Sequence, residues 1–171
     1  MSGPDDVRTS LATAAALLAP AHQAVTDQVL HAFDHPGAYV RDHAGRLADR
    51  GIDEPVPDLA WIALIDALTD QRLLAELDWK EDSQEVRSQL KGLESRPSVD
   101  PWVLVEEDEM LLPTDEFLHA CGRHYSEVGA ALAVLDIDSD CYPVVCLRAA
   151  RVQELTALAQ RAGFRAWALG V

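Results

Sequence analysis

Positive charge is scarce in this chain. Its 171 residues carry 14 Lys and Arg against 29 Asp and Glu, a formal net charge of −15. A nucleic-acid or anionic-membrane binder needs a basic face to neutralise phosphates, so the balance argues against both classes. Glycine is sparse as well. The nine glycines are scattered, no Gly-rich fingerprint follows a strand-like run, and there is no P-loop. No serine stands in G-x-S-x-G. The three cysteines, Cys121, Cys141 and Cys146, show no C-x-x-C spacing. An odd number without a framework fits reduced thiols in a cytoplasmic protein. Long apolar runs are missing too, since none reaches the roughly 20 residues of a membrane span. "LATAAALLAPA" has the apolar character of an export signal. Its leader "MSGPDDVRTS" carries two acids and one Arg, the wrong charge for that role.

What is present is an ordinary globular share of apolar residues, 49%, in a chain long enough to bury a core as one domain over 1–171. The N-terminal part, 1–52, is Ala-rich and helical in character. Helices are expected near 5–18 and 20–33, split at Pro20, with a third near 36–50 opened by Pro36 and stopped at Gly51. After the two prolines of "GIDEPVPD", Trp61, Leu64, Ile65 and Leu68 fall at helical spacing and predict one buried face.

From Leu73 the period changes to two. "LLAELDWK" alternates as a half-buried strand. A helix near 82–95 follows, with Asp82 as its cap and Glu85 closing a box-like arrangement. "WVLVE" is expected as a short strand. Thr114 is expected to cap a helix whose inner face carries Phe117, Cys121 and Tyr125. Strands near 130–137 and 141–147, a helix near 149–162 ended by Gly163, and the strand "FRAWAL" complete the chain. Helices separate some strands and tight turns join others, which favours α+β: N-terminal helices on one face of a mixed, largely antiparallel sheet of three to five strands, with an α+β core over 57–171.

Two acidic features call for chemistry. "DIDSDCY" places Asp136, Asp138 and Asp140 every second residue, like the opening of a calcium loop. That loop needs Gly at the sixth position and Glu at the twelfth, where Cys141 and Leu147 stand. A turn between strands fits better, since Asp and Ser bond nearby backbone amides. The second feature lies between Arg96 and Arg123, a span without Lys or Arg that holds Asp100, Glu106, Glu107, Asp108, Glu109, Asp115 and Glu116. It reads either as a solubilising loop or as a docking surface for a basic partner. The six histidines form no metalloprotease motif; "HAFDH" lacks the required glutamate.

Three segments, "WIALIDAL…LLAELDWKED", the turn "LDIDSDCYPVV", and the closing helix–Gly–strand unit, resemble a bacterial family known only as a domain of unknown function. The resemblance spans roughly 57–171 and leaves the N-terminal helices outside. It brings no active site with it. Size, charge and turn style are also similar to immunity proteins of bacterial toxin systems. The expected function is therefore a cytoplasmic protein-binding module, an immunity protein that neutralises a basic partner such as a toxin, with no cofactor, no metal and no catalytic residue. Its expected contacts are Glu106, Glu107, Asp108 and Glu109, then Asp138, Asp140 and Tyr142, with Trp79 as an aromatic anchor. One alternative is a carboxylate- or metal-dependent hydrolase using Asp136 and Asp138 with Glu76 and Asp78. Another is a non-catalytic oligomeric scaffold.

Overall fold

The computed structural model describes residues 3–171; the first two residues of the leader lie outside it. Pro4 opens α1 (Pro4–Leu18), with Asp5 and Asp6 in the first turn, where the helix dipole favours negative charge. Pro20 falls in the link to α2 (Gln23–Asp34). Pro36 then starts α3 (Pro36–Asp42). The expected 36–50 helix is divided at His43, where φ is −120° and ψ is 27°. The His43 ring stacks on Tyr39 with centroids 4.1 Å apart. A short helix α4 (Ala44–Asp49) follows and buries Leu47. Gly51 ends it at φ 76°, a left-handed value that glycine takes without strain.

Helix α5 (Leu59–Asp70) is buried all round from Leu59 to Leu68, not along one face. It packs against α1 and α2 on one side and toward the sheet on the other. Its apolar run therefore encloses the helix instead of making it amphipathic.

The sheet contains β1 (Leu74–Asp78), β2 (Ala130–Asp136), β3 (Cys141–Arg148) and β4 (Arg165–Ala168) in the order β1-β3-β2-β4. Every pairing is antiparallel. Leu74 faces Val145, Val134 faces Val144, and Ala133 faces Ala168. The fold is α+β, with helices packed on an antiparallel sheet.

Alternation gives the sheet two apolar faces, and both are covered. Leu74, Ala133, Leu135 and Val145 point to a layer of α1, α2, α5 and α8 (Val152–Arg161). Ala75, Leu77, Leu132, Val134, Val144 and Cys146 point to the opposite layer. That layer consists of α6 (Ser83–Lys91), α7 (Thr114–Glu127) and the indole of Trp102.

Three local expectations are corrected. "WVLVE" is no strand: Pro101–Leu104 forms a 3-10 turn. The Asp100 carboxylate accepts the Trp102 N–H at 2.9 Å, Trp102 is buried, and Val103 and Leu104 are exposed, so no period of two survives. Asp82 does cap α6, accepting N–H from Gln84 and Glu85, but Glu85 bonds Gln89 instead of returning to the cap. Thr114 is not a cap. Its hydroxyl donates to the Glu81 carbonyl at 2.8 Å and ties the start of α7 to the β1–α6 link.

Candidate functional site

A cleft of about 670 Å³ opens between the α4–α5 connection and the β2–β3 hairpin. Ile52, Val56, Ile62 and Ile137 give it apolar walls. Its charged side is built by three matching periods. Arg46 and Arg50 lie four residues apart at the end of α4. Ile62, Asp66 and Asp70 lie four apart on α5, so they share a face. Glu76 follows Leu74 by two on β1 and points to the same helical layer.

Arg50 joins these rows. Its Nη1 and Nη2 donate to Glu76 Oε2 and Oε1 at 2.9 and 2.7 Å, a two-pronged fork. Nε and Nη2 also donate to Asp66 Oδ1, at 3.2 and 2.6 Å. Arg46 approaches the same oxygen at 3.3 Å and donates to Asp70 at 2.6 Å. Asp66 is 1% exposed. Burial alone lowers the proton affinity of Arg50, but its hydrogen bonds to Glu76 and Asp66 outweigh that and hold the guanidinium above its ordinary range.

The hairpin tip stands at the rim. Asp136 Oδ1 accepts the Asp138 N–H at 2.8 Å, and Asp138 takes a left-handed φ of 54°. Ser139 Oγ accepts the Cys141 N–H at 3.1 Å. The alternating aspartates are therefore a turn device, as the sequence suggests. Asp138 lines the cleft with Glu76, while Asp78 and Asp136 do not, and β3 separates their strands. Among the described residues, no group of three or more His, Cys, Asp or Glu is arranged to hold a metal ion. Burial pushes the thiols of Cys121 and Cys146 up to about 12, and burial with Glu76 and Asp78 raises that of Cys141. Such thiols are poor nucleophiles near neutral pH.

The other predicted surface is the connection from α6 to α7. Glu106, Glu107 and Asp108 are exposed and form no ion pair among the described residues. Glu109 is different. Both its oxygens meet His124 Nε2, at 2.9 and 3.0 Å, and Oε1 accepts the Glu106 N–H at 2.9 Å. It fastens the 3-10 turn Glu109–Leu111 to α7. Beside the three free carboxylates, Val99, Val103, Leu104 and Leu111 are exposed, Leu111 to 85% and Val103 to 79%.

Trp79 is half exposed, with Lys80 Nζ 4.5 Å from its ring centroid. The Trp79 backbone N–H donates to the Asp140 carbonyl at 3.0 Å. Tyr142 is half-buried against the second core. The Glu81–Thr114 bond, and one from Ser83 Oγ to the Met110 carbonyl at 2.7 Å, connect this corner to the acidic segment. The structure thus brings Trp79 and Asp140 into contact, puts Asp138 on the cleft lining, and ties the β1–α6 link to Met110 and Thr114, which flank the acidic segment. Sequence reasoning missed Arg46, Arg50 and Asp66. The signal was available: Asp66 is the lone charge between Leu59 and Leu68, in a run otherwise apolar.

Residues 10–170 match a family described as a domain of unknown function, DUF6630. The chain belongs to this family. The match extends beyond the resemblance seen in 57–171 and takes in most of α1 and all of α2. No curated protein and no solved structure matches the chain. No helix among the described residues is long and apolar enough to cross a membrane.

Proposed function

We propose that this DUF6630 protein is a binding module for a basic protein partner. The observation that carries the reading is the 99–111 segment. It interleaves exposed Val103, Leu104 and Leu111 with the unpaired carboxylates of Glu106, Glu107 and Asp108. Apolar side chains exposed this far, rimmed by charge of one sign, mark interaction surfaces. The aliphatic residues supply affinity on desolvation, and the carboxylates steer a cationic face and set its orientation. Trp79 and the hairpin tip extend the surface, with Trp79 as the aromatic anchor. A toxin whose working face grips phosphate is one partner of this kind, and neutralising it in the cytoplasm is the form of the reading suggested by the likeness to immunity proteins.

The test is co-purification with the product of the adjacent gene at low and high salt. The expected result is a stoichiometric complex whose association slows as salt rises. Leu111→Asp should weaken that complex tenfold or more while leaving the melting temperature within a degree or two, because Leu111 packs on little of its own chain. Absence of a complex at both salts would count against the reading and favour the hydrolase alternative.

A further inference from the structure

Just before Glu106–Asp108 in the chain, three cations, Arg87, Lys91 and Arg96, stand close in sequence. A pocket of about 230 Å³ lies between the end of α6 and the connection through residues 96–102. Lys91 and Arg96 stand on its lining, and Pro97 and Pro101 give it apolar walls. Trp102 and Tyr125, 5% and 1% exposed, form its inner wall. Arg87 lies 5.6 Å over the Trp102 ring. Arg87, Lys91 and Arg96 pair with no carboxylate among the described residues, in a chain that has 29 carboxylates for 14 cations. Asp100 is the lone acid on the lining, and its Oδ1 is occupied by the Trp102 backbone N–H.

Two buried polar groups at this place lack partners. The Trp102 indole N–H has no acceptor. The Tyr125 hydroxyl is a neighbouring acceptor, but it gives the indole N–H no full hydrogen bond. Ser95 Oγ is also unpartnered. It lines an adjoining pocket of about 370 Å³ that shares Arg96 and Ser98 and adds Arg148, which likewise pairs with no carboxylate among the described residues. An orphaned buried donor is costly, and a bound acceptor removes that cost.

We propose that the pocket between α6 and the 96–102 connection binds a small oxyanion, a phosphoryl- or carboxylate-bearing metabolite, seated between Lys91 and Arg96 against Trp102. The guanidinium and ammonium supply charge-assisted hydrogen bonds, and the indole N–H, a donor without an acceptor, takes one further oxygen. The indole N–H is nearly closed to water, so its capture requires a slight opening of the irregular 97–100 connection. The site is separate from the protein-docking surface, and its test is independent of that reading.

The four tryptophans give four indole resonances, and only Trp102 lines this pocket. The full chain, labelled with nitrogen-15, is titrated with inorganic pyrophosphate and, separately, with citrate, at ionic strength held constant with sodium chloride. The expected result is a saturable shift of the Trp102 indole N–H with half-saturation at or below about 1 mM, a weak but specific affinity. Trp61 and Trp79 should stay still. Lys91→Gln, at an exposed position that leaves the fold intact, should weaken binding several-fold, and Arg96→Gln tenfold or more. A stronger response to pyrophosphate assigns a phosphoryl ligand; a stronger response to citrate assigns a carboxylate. An unmoved Trp102 resonance with both probes overturns the proposal. So does a shift that Lys91→Gln and Arg96→Gln both leave unchanged.

Discussion

Asp66 lies at 1% exposure in an apolar helix, and its Oδ1 is met by Arg50 at 2.6 Å and Arg46 at 3.3 Å. Taking one partner from a buried ion pair leaves an uncompensated charge. Arg50→Ala should therefore destabilise the fold by about 3–5 kcal/mol in urea unfolding. Arg50→Lys should recover only part of this, because an ammonium cannot fork onto Glu76 and reach Asp66 at once. A loss below 1 kcal/mol for Arg50→Ala would show that the network adds little. Glu109 works through a proton. The Glu106 N–H first, and His124 after it, hold its carboxyl below the usual carboxylate range. A depressed folded value means that its stability is complete above the unfolded value, about 4.3, and is lost as pH falls through the lower folded one. Glu109→Gln should flatten the stability profile in that acid window and change it little in slope above pH 6. An unaltered acid limb would contradict the assignment.

Helix α7 and strand β4 are locked by a close approach that no propensity scale shows. A Cβ on Gly122 would collide with the Leu169 backbone. Gly122→Ala should cost about 1–3 kcal/mol, read as a lower urea midpoint at unchanged slope. Elements set by local rules were legible beforehand. Pro36 starts a helix, Gly51 and Gly163 end helices, and period two marks β1. The misses have physical causes. Trp102 reads as strand because its neighbours are Val and Leu, yet Pro101 and the Asp100 cap bend the chain and send the indole into the core. Thr114 looks like a cap, but its hydroxyl is drawn away by a carbonyl 33 residues distant. The second helical layer was hidden for the same reason: which sheet face a helix covers depends on long-range pairing, not on its own sequence.

Across the whole molecule, the negative charge is not evenly used. At the cleft it is balanced by Arg46 and Arg50 and holds the helical layer to β1. At Glu106, Glu107 and Asp108 it is unpaired and stands among exposed aliphatic side chains. The turn Asp136–Asp140 was readable as a turn, and Trp79 and Asp140 do meet. The cleft was not readable, because Arg50, Asp66 and Glu76 come from three separate elements. In the proposed function, the 99–111 segment docks a basic protein. Its most direct test is the association rate of the triple variant Glu106→Lys, Glu107→Lys, Asp108→Lys with the adjacent-gene partner, measured across a salt series. Reversing three steering charges should slow association by about tenfold or more at low salt and flatten its salt dependence, with dissociation little changed. Association as fast as that of the unmodified chain, with the same salt slope, would remove Glu106, Glu107 and Asp108 from the docking surface.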